Sequence, residues 1–244
     1  MNILLTRPLA QVKSLQKLVS GGGFQALIFP TLEVEKLAAS PKKNHYQVLI
    51  FISVNAVECG LEVLKSLQQK PYKIFAVGAI TAKKLADYGF EVNGFPQPKA
   101  SSEALLSMPE VVKLRQQNIL IFRGEGGRET LKNSLSQHNS VEYIEVYRRV
   151  ICTVKDTHRA ALSQFLQNQK GVISITSIQN LSNLLLLIAE INPAATELIK
   201  AYPLVILSER IENYAKSIGF KIIQIAPETS DLGLLEAIKL ISKA

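Results

Sequence analysis

The chain has 244 residues, 47% hydrophobic and 20% charged, with 28 Lys+Arg against 20 Asp+Glu and a formal charge of +8. That apolar content excludes a disordered chain and suffices for a packed core, in one large domain or two small ones. The basic excess suits an anionic ligand, but no Lys/Arg run exceeds two residues and no RNP-like or zinc-knuckle pattern occurs, so nucleic acid finds no support.

In chain order, short apolar runs alternate with helical stripes. Ile3–Leu5 reads as a strand; the helix after it turns Val12, Leu15, Leu18 and Val19 to one face and stops at Gly21-Gly22-Gly23. Ala26–Phe29 is the next strand, and Thr31–Lys36 an extended segment with no helix behind it. Val48–Ile52 and Lys73–Val77 follow, then a helix that opens at Thr81, packs Ala82, Leu85 and Ala86 inward and ends at Gly89. Another helix opens at Ser102-Glu103. Ile119–Phe122 and Tyr143–Val146 are strands, and Val146–Val154 is a second extended segment. The last third gives strands Val172–Ile175, Leu204–Leu207 and Ile222–Ala226, a helix stop at Gly219, and a helix from Ser230-Asp231 carrying Leu234, Leu235, Ile238 and Ile241. Strands apolar throughout are buried on both faces, and their alternation with helices predicts an α/β fold with parallel sheets.

The chain also echoes itself. Asn2-Ile3-Leu4-Leu5-Thr6-Arg7-Pro8 returns as Asn118-Ile119-Leu120-Ile121-Phe122-Arg123-Gly124, and Val48-Leu49-Ile50-Phe51-Ile52-Ser53 as Val172-Ile173-Ser174-Ile175-Thr176-Ser177. The echoes keep their order at a period too long for a solenoid and right for two copies of a small domain. Two lobes leave a cleft, where small ligands bind. A simple tandem would divide the chain into 1–117 and 118–244. A swapped tandem would use the two extended segments as crossings, paired as a short ladder and acting as a hinge.

Other chemistry is poorly supplied. Cys59 and Cys152 read as buried small hydrophobes of a reducing compartment, and His45, His138 and His158 as separate surface residues rather than metal ligands. Met1–Arg7 lacks the pattern of a signal peptide, and the apolar stretch Leu181–Ile191 is shorter than the ~20 residues of a membrane span, so a cytoplasmic protein without membrane contact is expected. Arg123-Gly124-Glu125-Gly126-Gly127-Arg128 is not a P-loop, and no GxGxxG or GxSxG follows a strand, so no cofactor or metal is expected.

Several ordered pieces resemble the uroporphyrinogen-III synthase family. They are Leu5-Thr6-Arg7-Pro8 with Gln11; Phe29-Pro30; Phe51-Ile52-Ser53-Val54-Asn55-Ala56-Val57; Val77-Gly78-Ala79-Ile80-Thr81-Ala82 with Leu85 and Gly89; Phe122-Arg123-Gly124-Glu125-Gly126-Gly127-Arg128-Glu129-Thr130-Leu131; Val146-Tyr147-Arg148-Arg149; Thr176-Ser177; and Gly233-Leu234-Leu235. The resemblance implies two flavodoxin-like parallel-sheet lobes from a swapped tandem duplication, joined by a two-stranded connector. Lobe 1 would hold residues 1–35 and 150–244, lobe 2 residues 38–147, with 31–37 and 146–153 as connector strands. It implies a monomeric, cofactor-free lyase that cyclises hydroxymethylbilane, with inversion of ring D and loss of water, and that meets the preceding enzyme of the pathway transiently.

Residues at the carboxyl ends of the strands are the expected site, where helix-start N–H groups suit carboxylates. The substrate contacts expected there are Arg7, Ser53, Asn55, Arg123, Gly126, Thr176, Ser177 and Ser208. By the resemblance, Tyr147 faces the cleft and assists the departing hydroxide, with Thr81 second. Tyr147 reads equally as a packing tyrosine, Thr81 as a helix cap, and the two arginines as capping or ion-paired groups. The chain departs from the pattern at Ile52 and at Ser208-Glu209-Arg210-Ile211-Glu212, the counterpart of Gly78-Ala79-Ile80-Thr81-Ala82. A non-catalytic bilobal binder of an anionic small molecule is the alternative, and a two-domain glycosyl- or nucleotidyl-transferase a more distant one.

Overall fold

The computed structural model describes residues 1–67, 72–167 and 170–242. In chain order the elements are β1 (Asn2–Leu5), α1 (Leu9–Gly21), β2 (Gln25–Ile28), β3 (Leu32–Lys36), β4 (Val48–Phe51), α2 (Val54–Ser66), β5 (Lys73–Ala76), α3 (Ala79–Asp87), α4 (Ser102–Leu106), α5 (Pro109–Val112), β6 (Asn118–Gly124), α6 (Thr130–Leu135), β7 (Ser140–Ile151), α7 (Asp156–Gln167), β8 (Gly171–Ile175), α8 (Ile178–Ile191), α9 (Ala195–Ile199), β9 (Leu204–Ile206), α10 (Glu209–Ser217), β10 (Ile223–Ile225) and α11 (Asp231–Ile241).

The chain divides into two compact units. Unit 1 is Met1–Glu33 with Val150–Ala244; unit 2 is Val34–Arg149. The sheet of unit 1 runs β10-β9-β8-β1-β2, every neighbouring pair parallel. Counted by order of appearance within the unit, this is the doubly wound order 2-1-3-4-5. The second sheet runs β3-β7-β6-β4-β5, with β7, β6, β4 and β5 parallel in turn. Counted from β4, the strands β5-β4-β6-β7 repeat the 2-1-3-4 part of that order, and β3, the first strand of the unit, takes the outer place beside β7.

Both sheets are covered on two faces, which is why their strands are continuously apolar. In unit 1, Leu4, Ile173, Ile175, Leu204 and Ile206 pack against Phe165, Leu184, Ile188 and Ala215 from α7, α8 and α10. Ile3, Leu5, Val172 and Val205 pack on the opposite face against Val12, Leu15, Val19, Leu234 and Ile238 from α1 and α11. In unit 2, Leu49, Phe51, Leu120 and Phe122 meet α2 and α3, with the Phe51 and Phe122 rings stacked at 4.2 Å; Val48, Ile50, Ile119 and Ile121 meet Leu105, Val111, Leu131 and Leu135.

Helix starts follow local capping chemistry. The hydroxyls of Ser53, Ser101, Ser177 and Ser230 each accept the backbone N–H three residues on, which satisfies one otherwise orphaned donor. Some expectations change. Gly78, not Thr81, caps α3, so Thr81 is its third residue and buried; α4 opens at Ser102 as expected, capped by Ser101. Ala86 points to solvent. His158 is buried, not superficial: its ring meets the Pro30 carbonyl at 2.9 Å and the Phe29 ring edge-on.

Candidate functional site

In open parallel sheets ligands bind beyond the carboxyl ends of the two strands at which the strand order reverses. In unit 1 these are β1 and β8, and the residues that follow them are Thr6-Arg7 and Thr176-Ser177. In unit 2 they are β4 and β6, followed by Ser53 to Asn55 and by Glu125 to Gly127. The next strands outward, β9 and β5, lead into Ser208 and into Gly78 to Thr81. The expected contact residues are thus gathered at one pole of each sheet.

In unit 1 the side chains at this pole are largely engaged with one another. The Thr176 and Ser177 hydroxyls reach Asn180 Oδ1 at 3.1 and 2.8 Å, and Ser177 Oγ accepts the Asn180 N–H. The Asn180 amide, itself buried, donates onward to Thr31 Oγ1 at 2.8 Å and to the Thr6 carbonyl at 3.3 Å, while Thr6 Oγ1 donates to the Ser174 carbonyl. Both hydroxyl protons point inward, so these two residues offer outward acceptors rather than donors. Arg7 is ion-paired to Asp231 at the start of α11. Ser208 begins α10 through its carbonyl, and its hydroxyl caps nothing; Glu209 and Glu212 lie in that first turn. Carboxylates there favour the helix and oppose an approaching anion.

In unit 2 the pole is organised by a bulge. The register between β6 and β7 shifts between Arg123 and Gly124, so that Gly124 faces Tyr147. A bulge re-aims a side chain, and here Val146 and Tyr147 are both buried in succession. The Tyr147 ring lies across Gly124, where a Cβ would come within 2.5 Å of it. Its hydroxyl is 3.1 Å from Ser53 Oγ, which also caps α2. Tyr147 is thus a 5%-exposed residue held by Ser53. Asn55 is half-buried in the first turn of α2.

The second arginine is spent within the unit. Arg123, whose side chain is 3% exposed, bonds Glu129 Oε1 at 2.8 Å and stacks on the Tyr143 ring. Glu145 approaches it at 3.9 Å and also accepts the Gly126 N–H at 3.3 Å. Gly126 and Gly127 take φ values of 71° and 94°, open to glycine at little steric cost. A carboxylate of the chain itself therefore occupies the anion position expected at this turn. Beyond it, Arg148 forks onto both oxygens of Glu35 at 2.9 Å, which holds the Glu35 carboxyl below its ordinary range.

Among the described residues, the first-turn N–H groups at Val54-Asn55, Ala79-Ile80 and Ile178-Gln179 have no hydrogen-bond partner. Asn180, Asp231, Glu129 and Glu145 are the organising residues that sequence reasoning did not single out. Only Asn180 carried a local signal, three residues after a capping serine. Among the described residues no group of three or more His, Cys, Asp or Glu could hold a metal ion, and no helix is long and apolar enough to cross a membrane.

A family model described as uroporphyrinogen-III synthase HemD matches residues 13–236. The uroporphyrinogen-III synthase of Escherichia coli (strain K12) is 26% identical over 253 residues, covering 98% of this chain and all of the relative. The corresponding protein of Salmonella typhimurium is 27% identical over 257 residues, with the same coverage. Among solved structures, uroporphyrinogen-III synthetase from Helicobacter pylori 26695 superimposes with a TM-score of 0.62 at 17% identity, covering 98% of this chain and 99% of that one. A mutant uroporphyrinogen III synthase from Thermus thermophilus gives 0.52 at 15% identity over the full length of both chains. These likenesses show a shared α/β fold of two mostly parallel sheets.

Proposed function

Because this chain belongs to the uroporphyrinogen-III synthase family, we propose that it closes hydroxymethylbilane into uroporphyrinogen III, with inversion of ring D and net loss of water, in tetrapyrrole (heme) biosynthesis. The observation that carries this reading is the match of one family model across residues 13–236.

The chemistry asks for little beyond geometry. Hydroxide leaves the hydroxymethyl carbon of ring A, the cation left behind is attacked by the substituted carbon of ring D, and the spiro intermediate fragments and recloses with that ring inverted. Free in water the chain closes without inversion, so the protein's task is to hold the substrate folded. The substrate's carboxylates suit the helix-start N–H groups at 54–55, 79–80 and 178–179. Ser53, Asn55, Thr176 and Ser177 are proposed to act chiefly by shaping the turns at 54–55 and 178–179, Gly126 and Ser208 by shaping the turns after β6 and β9, and Arg7 by exchanging Asp231 for a substrate carboxylate. Arg123, buried and paired, is left as a structural residue.

Tyr147 is proposed as the hydroxyl that hydrogen-bonds the departing hydroxide, oriented by Ser53, with Thr81 as the second choice. The proposal further takes the enzyme as a cofactor-free monomer of the cytoplasm that receives its substrate in a transient contact with the preceding enzyme. Its lobes are proposed to be swapped copies, 1–35 with 150–244 and 38–147.

The test is an isomer assay. Hydroxymethylbilane is generated in the presence of the purified chain without additives, the products are oxidised, and the uroporphyrin isomers are separated. A predominance of type III is expected. Type I alone, as in the protein-free control, would refute the reading and favour a non-catalytic anion binder.

A further inference from the structure

Unit 2 carries a concave feature at the amino ends of β4, β5 and β6, the pole of its sheet opposite the candidate site. The pocket holds about 720 Å³ and is lined by Gln47, Lys73, Asn93, Lys113 and Arg115, over an apolar floor of Val48, Tyr72 and Leu114. A volume of that order suits a small organic ligand. β4 spans four residues, so this pole lies roughly 13 Å from the turns at its carboxyl end.

The polar groups in the wall are oriented. Gln47 Oε1 accepts the Asn118 N–H, and Asn93 Oδ1 the Ile74 N–H, each at 2.7 Å. An amide whose oxygen is held against a strand end must present its NH2 group elsewhere. Neither NH2 group finds an acceptor among the described residues. Arg115 is held through Nη1 by the carbonyls of Val112 and Leu114 at 2.7 and 2.8 Å, which leaves Nε and Nη2 free to donate. Lys73, Lys113 and Arg115 form no ion pair among the described residues, and Glu110 is the one carboxylate in the lining.

The loop that carries Arg115 is also held in an uncommon conformation. Gln116 has a φ of 54°, a region few residues other than glycine occupy. Its N–H is tied to the His138 carbonyl at 2.8 Å, and the Gln117 N–H to Asn139 Oδ1 at 3.1 Å. A local cost of this kind persists where the surroundings fix it, and such places gather at binding sites.

We propose that this pocket is a separate binding site for a small organic polyanion with an apolar body. The anionic groups meet Lys73, Lys113, Arg115 and the two amide NH2 groups, and the body lies over Val48, Tyr72 and Leu114. Carboxylate and phosphate share this chemistry, and the site is independent of the proposed reaction.

The test is titration of the 15N-labelled full chain with benzene-1,3,5-tricarboxylate, with pyrophosphate in parallel and acetate at matched ionic strength as the control. The expected result is saturable movement of the Gln47 and Asn93 side-chain NH2 signals and the 113–117 backbone amides by at least one polyanion. Acetate should bind at least tenfold more weakly. The stronger polyanion identifies the source as carboxylate or phosphate. A Lys73→Gln/Lys113→Gln double variant, altered only at exposed residues, should weaken the response at least tenfold while its Tm stays unchanged. No saturable shift, shifts confined to the carboxyl-end turns, or an undiminished response in the double variant would each overturn the proposal.

Discussion

Replacing Gly124 with alanine should displace Tyr147 without removing it. The added methyl would lie 2.5 Å from Tyr147 Cζ, 2.6 Å from Cε2 and 3.0 Å from the hydroxyl oxygen, where ordinary contact begins at 3.4 Å. The ring must withdraw by about 1 Å to restore van der Waals separation. It has little room, because it is buried among Leu120, Phe122, Ile144 and Val146. The hydroxyl, 3.1 Å from Ser53 Oγ, then leaves hydrogen-bond range. Overpacking costs about 1–3 kcal/mol and the lost bond about 1 kcal/mol, together about 2–4 kcal/mol. At roughly 2–4 °C per kcal/mol for a chain of this size, calorimetry should show Tm lower by about 4–16 °C. Tyr147→Phe keeps the ring and loses only the bond, about 1 kcal/mol. In a Tyr147→Leu background the obstruction is gone, so Gly124→Ala should cost at least about 1 kcal/mol less than in the parent. An equal cost in both backgrounds would refute the argument, as would an unchanged Tm in the single variant. The kinetics separate packing from chemistry: if the hydroxyl assists the leaving group, Tyr147→Phe and Gly124→Ala should lower kcat alike with KM little changed.

Three further perturbations probe the other parts of the structure. Asn180→Ala removes the acceptor of the half-buried Thr176 and Ser177 hydroxyl protons and the donor to buried Thr31 Oγ1 and the Thr6 carbonyl, and should cost about 1–3 kcal/mol in denaturant unfolding; a loss below about 0.5 kcal/mol, on the order of a surface change, would contradict the network. Arg123→Met should cost about 1–3 kcal/mol, since charge-assisted bonds go while half-exposed Glu129 can resolvate, and KM should stay level; a raised KM at unchanged stability would place Arg123 on the substrate. Burial pushes the Cys152 thiol up from 9.0 to about 11 and also raises Cys59. The unfolded thiol at residue 152 therefore ionises first, so its contribution to stability is complete below pH 9.0 and is lost as the pH rises toward about 11. The corresponding slope in denaturant midpoints should flatten in Cys152→Ala, and rapid thiol labelling of the folded chain at pH 8 would count against both shifts.

How much of this was legible in the sequence follows from the range of the interactions. The strands were legible because both faces of each sheet are covered, which leaves runs such as Val48–Phe51 and Val172–Ile175 without a polar interruption beyond Ser174. The helix start at Ser230 was legible because its hydroxyl bonds only three residues ahead; Ser53 and Ser177, read from the sequence as substrate contacts, cap their helices at the same spacing. Gly78 was missed as a cap because its φ of −175° is open to any residue; glycine is needed there for close approach, since a Cβ would sit 2.5 Å from that of Ala100. Tyr147 depends on a bulge and on Gly124 across the strand pair. His158 takes its partner from Pro30, 128 positions away, although its spacing from Ala161, Leu162 and Phe165 puts it on the buried stripe of α7.

The candidate site has the same division between local and distant causes, and this bears on what its residues can do. Hydroxyl and arginine side chains at strand ends suggest direct contacts to carboxylates, and that inference treats each side chain as free. In the folded chain Ser177 is turned inward by Asn180, Ser53 is shared between a helix start and Tyr147, Arg123 is closed by Glu129, and Arg7 by Asp231. What these contacts fix is the backbone, whose unpaired N–H groups then converge outward from each turn. Such donors bind an anion without depending on side-chain identity. The turn after β9 can therefore carry Ser208 and Ile211 where the turn after β5 carries Gly78 and Thr81 and still present a helix start. That turn also differs in charge, with Glu209, Arg210 and Glu212 where the other has Ala79, Ile80 and Ala82, and Glu209 stands nearest the helix start. Glu209→Gln should tighten binding of a carboxylate-bearing product modestly, by about 0.3–1 kcal/mol, and more so at low salt. Unaltered affinity across salt concentrations would mean that the turn at residues 208–212 does not face the ligand.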